Sequence, residues 1–542
     1  MISNMQQNPK AIFTKSLTAI ITNTFNSLSG SDIIHSISHC DPKFGQYSTN
    51  IAFILSKLEG KSPSEVAESI VAGLARDKNI KKAEFLQPGF INVSLSDKIW
   101  LNYADSIDAK FATAKTHKAQ SIQLEFISAN PSGPLVLTNA WQGYYGDILS
   151  NIYASQGYRV SREYYLNDGG NQVIALGRAV QQALGVKFDK EIATNLYRGE
   201  YIDNIAEVIT TKMGAVDKVK ESEPADIGAR AAAMILESYI KPGLVRLGVN
   251  FDSIYSESKP DIKKTLNRLK EAGLVRKKDG AIWLKGADVG LKQDEVLVRS
   301  YDNGYSYFLK DVAYQLERLE ERGFDKTITI VGPDHHGQAI RLVNTLRALG
   351  LSSFIEISTQ TIRLIKDGKE FKMSKRKGNY ILLDDFLDEI PTEVARFYFA
   401  MRDTNTHMDF DIDLVKEHSA KNPVYYSLYA YARACAIVKK AQEQGISSSK
   451  SFEGYNLTKA EQHLLLELSK IEEVLQEIID SHKVHQLLHQ TVAVAKAFHE
   501  YYELEKVLGD ANASQKLRLI EHFMLAYQSL FAILGVDLLQ KM

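Results

Sequence analysis

Residues 121–166 read SIQLEFISANPSGPLVLTNAWQGYYGDILSNIYASQGYRVSREYYL. Ser121–Ile127 is an apolar-rich run of strand length that empties into a loop of Asn, Pro, Ser and Gly. Trp141, Tyr144, Tyr145, Ile148, Leu149 and Ile152 follow at helical spacing, and Gly157 closes that helix. A second strand is expected at Tyr158–Leu166. Strand, loop, helix and strand make a βαβ start, the unit of a parallel sheet whose nucleotide sites lie at strand ends. The stretch predicts an α/β fold built on a Rossmann-like parallel sheet.

The pattern returns at Thr327–Val331, with the Gly332-Pro-Asp-His-His-Gly337 loop and a helix reaching to about Gly350. Between the two copies lies a mostly helical insertion, about 183–245, and Asp367-Gly368 is a hairpin turn signal between two short strands. Upstream, residues 1–112 read as a small α/β domain: Ser62-Pro-Ser-Glu65 is a capping box with proline at the first helical position, and Pro88–Val93 is a turn entering a strand. Downstream of about 410, Leu468, Ile471, Leu475, Ile478 and Ile479 recur at three and four, as do Leu487, Leu488, Val492, Ala495 and Phe498. That part is an all-α helical bundle. The expected boundaries are 1–112, 113–410 and 411–542.

Composition sets outer limits. A chain of 542 residues predicts several domains, and 44% hydrophobic with 24% charged residues is ordinary for a soluble globular protein. With 65 basic and 66 acidic residues, RNA would have to bind at local basic patches. Two distant cysteines, Cys40 and Cys435, fit a reduced cytoplasm and exclude a disulfide framework or a cysteine-rich zinc site. The first fifteen residues lack the pattern of a secretory leader, and Phe523–Val536 is too short to span a bilayer. A soluble cytoplasmic protein is expected, without a membrane partner.

Two segments carry phosphate chemistry. Lys372-Met-Ser-Lys-Arg-Lys-Gly378 puts four cations in six residues, which suits a loop that grips polyphosphate, though a solvated charge run has the same composition. The loop Ser128-Ala-Asn-Pro-Ser-Gly-Pro-Leu135 delivers the chain to a helix amino terminus, a ready anion site or simply a connection. The first string contains KMSK, the ATP-handling loop of class I aminoacyl-tRNA synthetases. With Glu125-Phe-Ile-Ser-Ala-Asn130 and Tyr164-Tyr-Leu-Asn-Asp-Gly-Gly-Asn-Gln172, the chain resembles the arginyl-tRNA synthetase family over nearly its whole length. One departure stands out. The two histidines of the class HIGH motif fall on Val136 and Asn139, and its glycine on Thr138. Asn139 can still donate from its amide, while Val136 can donate nothing.

In Arg299-Ser-Tyr-Asp-Asn-Gly-Tyr-Ser-Tyr307-Phe-Leu-Lys-Asp311, Tyr307 and Asp311 stand four apart and share a face if a helix starts there. A buried carboxylate beside a phenol suits a guanidinium; an aromatic core position with a capping aspartate is the structural alternative. The stretch resembles the family's arginine-reading element, which gives these two residues to the substrate side chain. The resemblance also implies Ser128, Asn130 and Glu257 as arginine-binding, the latter two at its α-amino end. It implies Asp334 and His336 near the ATP ribose, and Val136, Thr138, Asn139, Met373, Ser374 and Lys375 at ATP. Lys372, Lys375 and Asn139 would be catalytic, the lysines holding the leaving pyrophosphate. Asp334-His335-His336 invites a metal reading, but adjacent loop side chains rarely ligate one ion, so no protein-bound metal is expected.

The resemblance extends outward. Phe44-Gly-Gln-Tyr-Ser-Thr-Asn50 and Pro88-Gly-Phe-Ile-Asn92 look like the family's additional tRNA-contacting amino-terminal domain. Asn422-Pro-Val-Tyr-Tyr426 and Tyr429-Ala-Tyr-Ala-Arg433 resemble the start of its anticodon-binding bundle. Tyr425, Tyr429 and Met542 are the implied tRNA-binding residues. The implied activity is arginine–tRNA ligation: ATP with Mg²⁺ activates arginine to its adenylate, and the 3′ end of tRNA(Arg) takes the arginyl group. A monomer is expected. A catalytically silent tRNA-binding relative is the alternative that the altered HIGH segment suggests.

Overall fold

The computed structural model describes residues 8–25, 30–114, 117, 119–300, 304–333, 336–370 and 381–541, with the backbone alone at 336–339. The chain forms two compact units. One contains Met1–Thr116 with His418–His482 and Gln486–Met542; the other contains His117–Glu417 with Lys483–His485.

The second unit is organised by a five-stranded parallel sheet. Its strands are β1 (Ser121–Glu125), β2 (Arg159–Leu166), β3 (Ser253–Ser256), β4 (Lys326–Val331) and β5 (Phe354–Ser358). The order across the sheet is β5-β4-β1-β2-β3. The chain steps outward in one direction from β1 and then restarts on its other side, so the topological switch lies between β1 and β4. Ligands of open parallel sheets bind beyond the carboxyl ends of the strands at such a switch. Helix α1 (Leu137–Ser155) crosses from β1 to β2. Gly143 and Gly146 let it lie close to the strand end, because a Cβ at Gly146 would come within 2.4 Å of the Phe126 ring and one at Gly143 within 2.9 Å of Ile127 Cδ1.

The insertion expected at about 183–245 is helical throughout its main elements, from Glu200–Met213 to Lys241–Leu247. It is anchored on α2 (Asn171–Ala183), where Gly177 and Gly228 allow two helix backbones to touch; a Cβ at either would fall 1.8 Å from a carbonyl oxygen of the other helix. Helices α3 (Tyr307–Leu316) and α4 (His336–Ala348) share a core with Leu269, Leu284 and Leu297. The strands 275–278, 281–284 and 295–298, an antiparallel sheet, were not foreseen: at four residues each they are too short to show alternation. The hairpin at Asp367-Gly368 is present, both residues having positive φ, 51° and 69°. Its first strand pairs in parallel with Met408–Asp411, which straddles the expected boundary at 410.

In the other unit a four-stranded antiparallel sheet and its helices pack with the carboxy-terminal bundle. The capping box at Ser62 and Glu65 forms as expected. Asn8 donates to Glu472 at 2.8 Å and Lys10 pairs with Glu473 at 2.6 Å. The two ends of the chain, read as separate domains from the sequence, are thus joined by contacts with no local signature. The last helix, Ala513–Leu534, is long and apolar enough to cross a membrane, yet Phe523, Tyr527, Leu530 and Phe531 are buried in the bundle. Phe498, Phe523, Tyr527 and Phe531 form a continuous run of ring contacts 4.1–4.9 Å apart, each worth about 0.5–1.5 kcal/mol beyond area burial.

Candidate active site

Residues in register on neighbouring parallel strands project to the same face of a sheet. Glu356 on β5, Thr329 on β4, Glu125 on β1, Glu163 on β2 and Ser253 on β3 are in register, one after another. A polar row therefore crosses the entire sheet, where a parallel sheet covered on both faces normally carries aliphatics.

Helix α3 and the turns after it supply the row's partners. Arg318 is fully buried; its guanidinium reaches Glu125 Oε2 at 3.4 Å and donates to Thr329 Oγ1, Gln315 Oε1, Gln123 and the Ile328 carbonyl. Thr329 passes a hydrogen bond on to Glu125 Oε2 at 2.9 Å. Arg322 grips Glu163 with two parallel bonds of 2.9 and 2.7 Å, and Tyr314 and Ser253 donate to the same carboxylate at 2.7 Å. Burial alone would raise the Glu163 carboxyl; the bonds from Arg322, Tyr314 and Ser253 prevail and hold it below its ordinary value. At Glu125 the balance tips the other way, and burial keeps that carboxyl raised against Arg318, Thr329 and Ser128.

Asp311 lies on α3 two helical turns before Arg318, on the same side of the helix. It is partly exposed, and among the described residues no side chain donates a hydrogen bond to it. Burial lifts its carboxyl to about 7, with Glu125 and Glu257 pushing the same way and Lys310 and Arg341 opposing. Lys310 is already committed, pairing with Glu257 Oε1 at 2.6 Å, and Arg341 pairs with Glu295 at 2.6 Å. Glu257 is 5% exposed, and its second oxygen is buried with no partner. Tyr307 is the first residue of α3, 44% exposed, with the Lys310 ammonium 5.3 Å from its ring centre. The Tyr165 hydroxyl is buried and unpartnered, and burial together with Asp311, Glu257 and Glu125 keeps the phenol protonated.

The connection from β1 to α1 is strained. Ile127 and Ser128 both have positive φ, 67° and 39°, a conformation unfavourable for a β-branched residue. Ser128 helps to hold the turn, donating to Glu125 Oε1 at 3.1 Å and accepting from the Tyr165 amide at 3.1 Å. Its hydroxyl is thus engaged in shaping the loop that presents the exposed Asn130. At the start of α1, Asn139 Oδ1 accepts from the Val136 amide at 2.9 Å. That bond fixes the amide with its acceptor turned back to the chain and leaves Nδ2 without a partner among the described residues. Thr138 lies beside it, partly exposed. Gly332, just after β4, comes against α1, since a Cβ there would be 3.2 Å from Gln142 Nε2.

The structure brings Ser128, Glu257, Tyr307 and Asp311 into one neighbourhood, with Asn130, Val136, Thr138 and Asn139 on the adjoining loop and helix start. Asp334, Lys372, Met373, Ser374, Lys375 and Met542 lie outside the described residues, as does the His336 side chain. Tyr425 and Tyr429 belong to the other unit, on the helix Pro423–Glu443, as two stacked rings 5.8 Å apart. Among the described residues no group of three or more His, Cys, Asp or Glu could hold a metal ion. Sequence reasoning missed Glu125, Glu163, Arg318, Arg322, Glu356 and Tyr165. One signal was available: Gln123 and Glu125 interrupt a strand that should be apolar on both faces.

Comparison with known proteins finds family matches along most of the chain. Residues 11–95 match the family described as arginyl tRNA synthetase N terminal domain, 104–419 the class I (R) tRNA synthetase catalytic domain, and 427–542 the DALR anticodon binding domain. The chain is 37% identical over 523 residues to an arginine–tRNA ligase of Listeria monocytogenes, covering 93% of both. It is 35% identical over 515 residues to one from Staphylococcus carnosus, covering 92% of both. In fold it resembles the arginyl-tRNA synthetase of Thermus thermophilus, with a TM-score of 0.74 at 18% identity over 98% of this chain and 100% of that one.

Proposed function

The chain belongs to the arginyl-tRNA synthetase family, class I enzymes that join arginine to tRNA with ATP, and from that premise we propose how its own side chains divide the work. Asp311 takes the guanidinium of arginine, with Tyr307 at the rim and Asn130 and Glu257 toward the α-amino end. The observation that carries this reading is a contrast. Glu125 and Glu163 have internal arginine partners, while Asp311 faces the site with no described donor. A planar five-donor cation supplies what is lacking there.

The arginine carboxylate attacks the α-phosphate of ATP, giving the adenylate and pyrophosphate; the terminal tRNA ribose then accepts the arginyl group. No protein nucleophile is required, and the protein's contribution is placement and charge stabilisation. Asn139 Nδ2 acts as a side-chain donor at the helix start, with Val136 and Thr138 shaping the adenine side. Asp334 and His336 face the ribose. Lys372 and Lys375, flanking Met373 and Ser374, hold the departing pyrophosphate, and Mg²⁺ arrives with ATP. Tyr425, Tyr429 and Met542 contact the anticodon. The working boundaries are 1–112, 113–410 and 411–542, and the protein acts in the cytoplasm as a monomer.

The test is arginine-dependent pyrophosphate exchange, with and without tRNA, for the parent chain and Asp311→Asn. Exchange by the parent and its loss in the variant support the assignment. An Asp311→Asn variant that matches the parent with arginine, or a parent that activates another amino acid instead, overturns it.

A further inference from the structure

The polar row ends at Glu356. Its neighbour in register, Thr329, directs its hydroxyl to Glu125, and Arg318 serves Glu125, Thr329 and the strand carbonyls. Glu356 Oε1 is buried with no hydrogen-bond partner. The charged groups facing it are Glu125 and Asp311; those facing Asp311 are Glu125, Glu257, Lys310 and Arg341. Both cations of that set are engaged elsewhere, by Glu257 and Glu295. Glu356 and Asp311 are therefore two carboxylates that act on each other across the sheet's edge and, among the described residues, receive no hydrogen bond from a cation. Two such groups in a partly buried site repel each other when both are ionised, so losing the second proton is costly.

We propose that Glu356 is a specificity-determining residue of the arginine site, which clasps the guanidinium together with Asp311 and releases a proton to solvent as the substrate enters. The inference rests on the placement of arginine at Asp311. A guanidinium offers donors on two edges, so it can satisfy a carboxylate from α3 and one from the edge strand at once. Without arginine the pair retains a proton. Burial lifts the Glu356 carboxyl to about 8, with Glu125 and Asp311 adding to it. Arrival of a fixed positive charge removes the reason for holding that proton. A neutral side chain of similar shape, such as the citrulline ureido group, cannot displace it and is rejected for that reason as well as for its missing donors.

The experiment measures the arginine KM in aminoacylation from pH 6.5 to 8.5 for the parent, Glu356→Gln and Asp311→Asn, with the ATP KM as control. In the parent the arginine KM should fall with pH, by up to about tenfold per unit while one proton is being displaced. In Glu356→Gln it should be raised by about tenfold at pH 8, with the decline above pH 7 flattened and the ATP KM unmoved. Calorimetry of arginine binding to the unsubstituted chain at pH 7, in two buffers of different ionisation enthalpy, reads the released proton without any variant. A Glu356→Gln profile identical to the parent, or zero proton release, overturns the inference, and if Asp311→Asn still raises the KM the arginine site itself stands. If neither variant moves the arginine KM, the placement at Asp311 fails with it.

Discussion

Glu125 and Glu356 flank Thr329 in one row of the sheet, but of the two only Glu125 is met by an arginine among the described residues, Arg318 at 3.4 Å. Arg318 is fully buried, and its bonds tie α3 to the centre of the sheet. Replacing it with methionine keeps the volume and strands Glu125 in a dry interior. Removing one partner of a buried pair costs about 3–5 kcal/mol, so Arg318→Met should lower the urea midpoint sharply. Adding Glu125→Gln should recover part of that loss. An unchanged midpoint in the single variant would mean that Glu125 is not ionised in the folded chain.

Asp311→Asn preserves shape and removes the charge proposed to meet the substrate. Truncating one side of a buried, hydrogen-bonded charge pair costs about 2–5 kcal/mol, which is roughly a thirtyfold to several-thousandfold loss in kcat/KM for arginine. Steady-state kinetics with ATP varied at saturating arginine should show the ATP KM within about twofold of the parent, since Asp311 lies on the guanidinium side.

The capping bond of Asn139 and its proposed role as a donor to ATP can be separated. Its Oδ1 caps the Val136 amide at 2.9 Å, and its Nδ2 remains to donate. Asn139→Asp keeps the capping oxygen and loses the donor. Its melting temperature should stay close to the parent's, while adenylate formation in single turnover should fall by at least about 10²–10³, the usual loss for one donor at a developing charge. Val136→His offers a second donor where Asn139 already supplies one, and should gain less than about tenfold. A gain of 10² or more would show that Asn139 does not serve.

The parts of the fold and of the candidate site that were legible in the sequence are those with local signatures. Asp367-Gly368, the Ser62 capping box and the βαβ start depend on neighbours a few residues apart, and they form as read. Tyr307 and Asp311 share a helix for the same reason. The polar row is a property of register among five strands spread over more than two hundred residues, and register is set by packing that no local pattern encodes. Arg318 and Arg322 look like the charged end of a surface helix when read alone. In the fold they lie against the polar row, where the strands' acidic residues Glu125 and Glu163 require them. The union of the two chain ends, through Asn8 and Lys10 on Glu472 and Glu473, was invisible for the same reason.

Asp311 and Glu356 set a pH dependence on the stability of the free enzyme. Their carboxyls are raised to about 7 and about 8, well above ordinary carboxylates. Between about pH 4 and pH 8 the folded chain keeps protons that the unfolded chain has lost, so the stability these groups allow is present in acid and declines as pH rises. Bound arginine removes the penalty by neutralising the ionised pair. Scanning calorimetry with and without saturating arginine should therefore show the upward shift in Tm growing from pH 6 to pH 8.5. A shift that is constant or shrinks over that range would place the substrate cation away from both groups.

Tyr425 and Tyr429 test the other unit. The Tyr425 ring lies between His418 at 5.2 Å and Tyr429 at 5.8 Å, all nearly coplanar in orientation. The Arg433 guanidinium covers Tyr429 at 4.7 Å and Tyr502 at 4.2 Å. Both tyrosines are partly exposed, and near-parallel rings at these separations overlap only in part, so a portion of each ring stays accessible to a base from solvent while Arg433 adds positive charge. Base stacking on an aromatic ring is worth about 1–3 kcal/mol per base. Leucine at either position keeps apolar volume for the bundle and removes the π-face. Tyr425→Leu and Tyr429→Leu should therefore each raise the tRNA KM by about five- to a hundredfold with little change in Tm, and phenylalanine should restore it. If the leucine variants instead lose stability and bind tRNA as the parent does, the rings are packing residues of the bundle, and tRNA contacts this unit elsewhere.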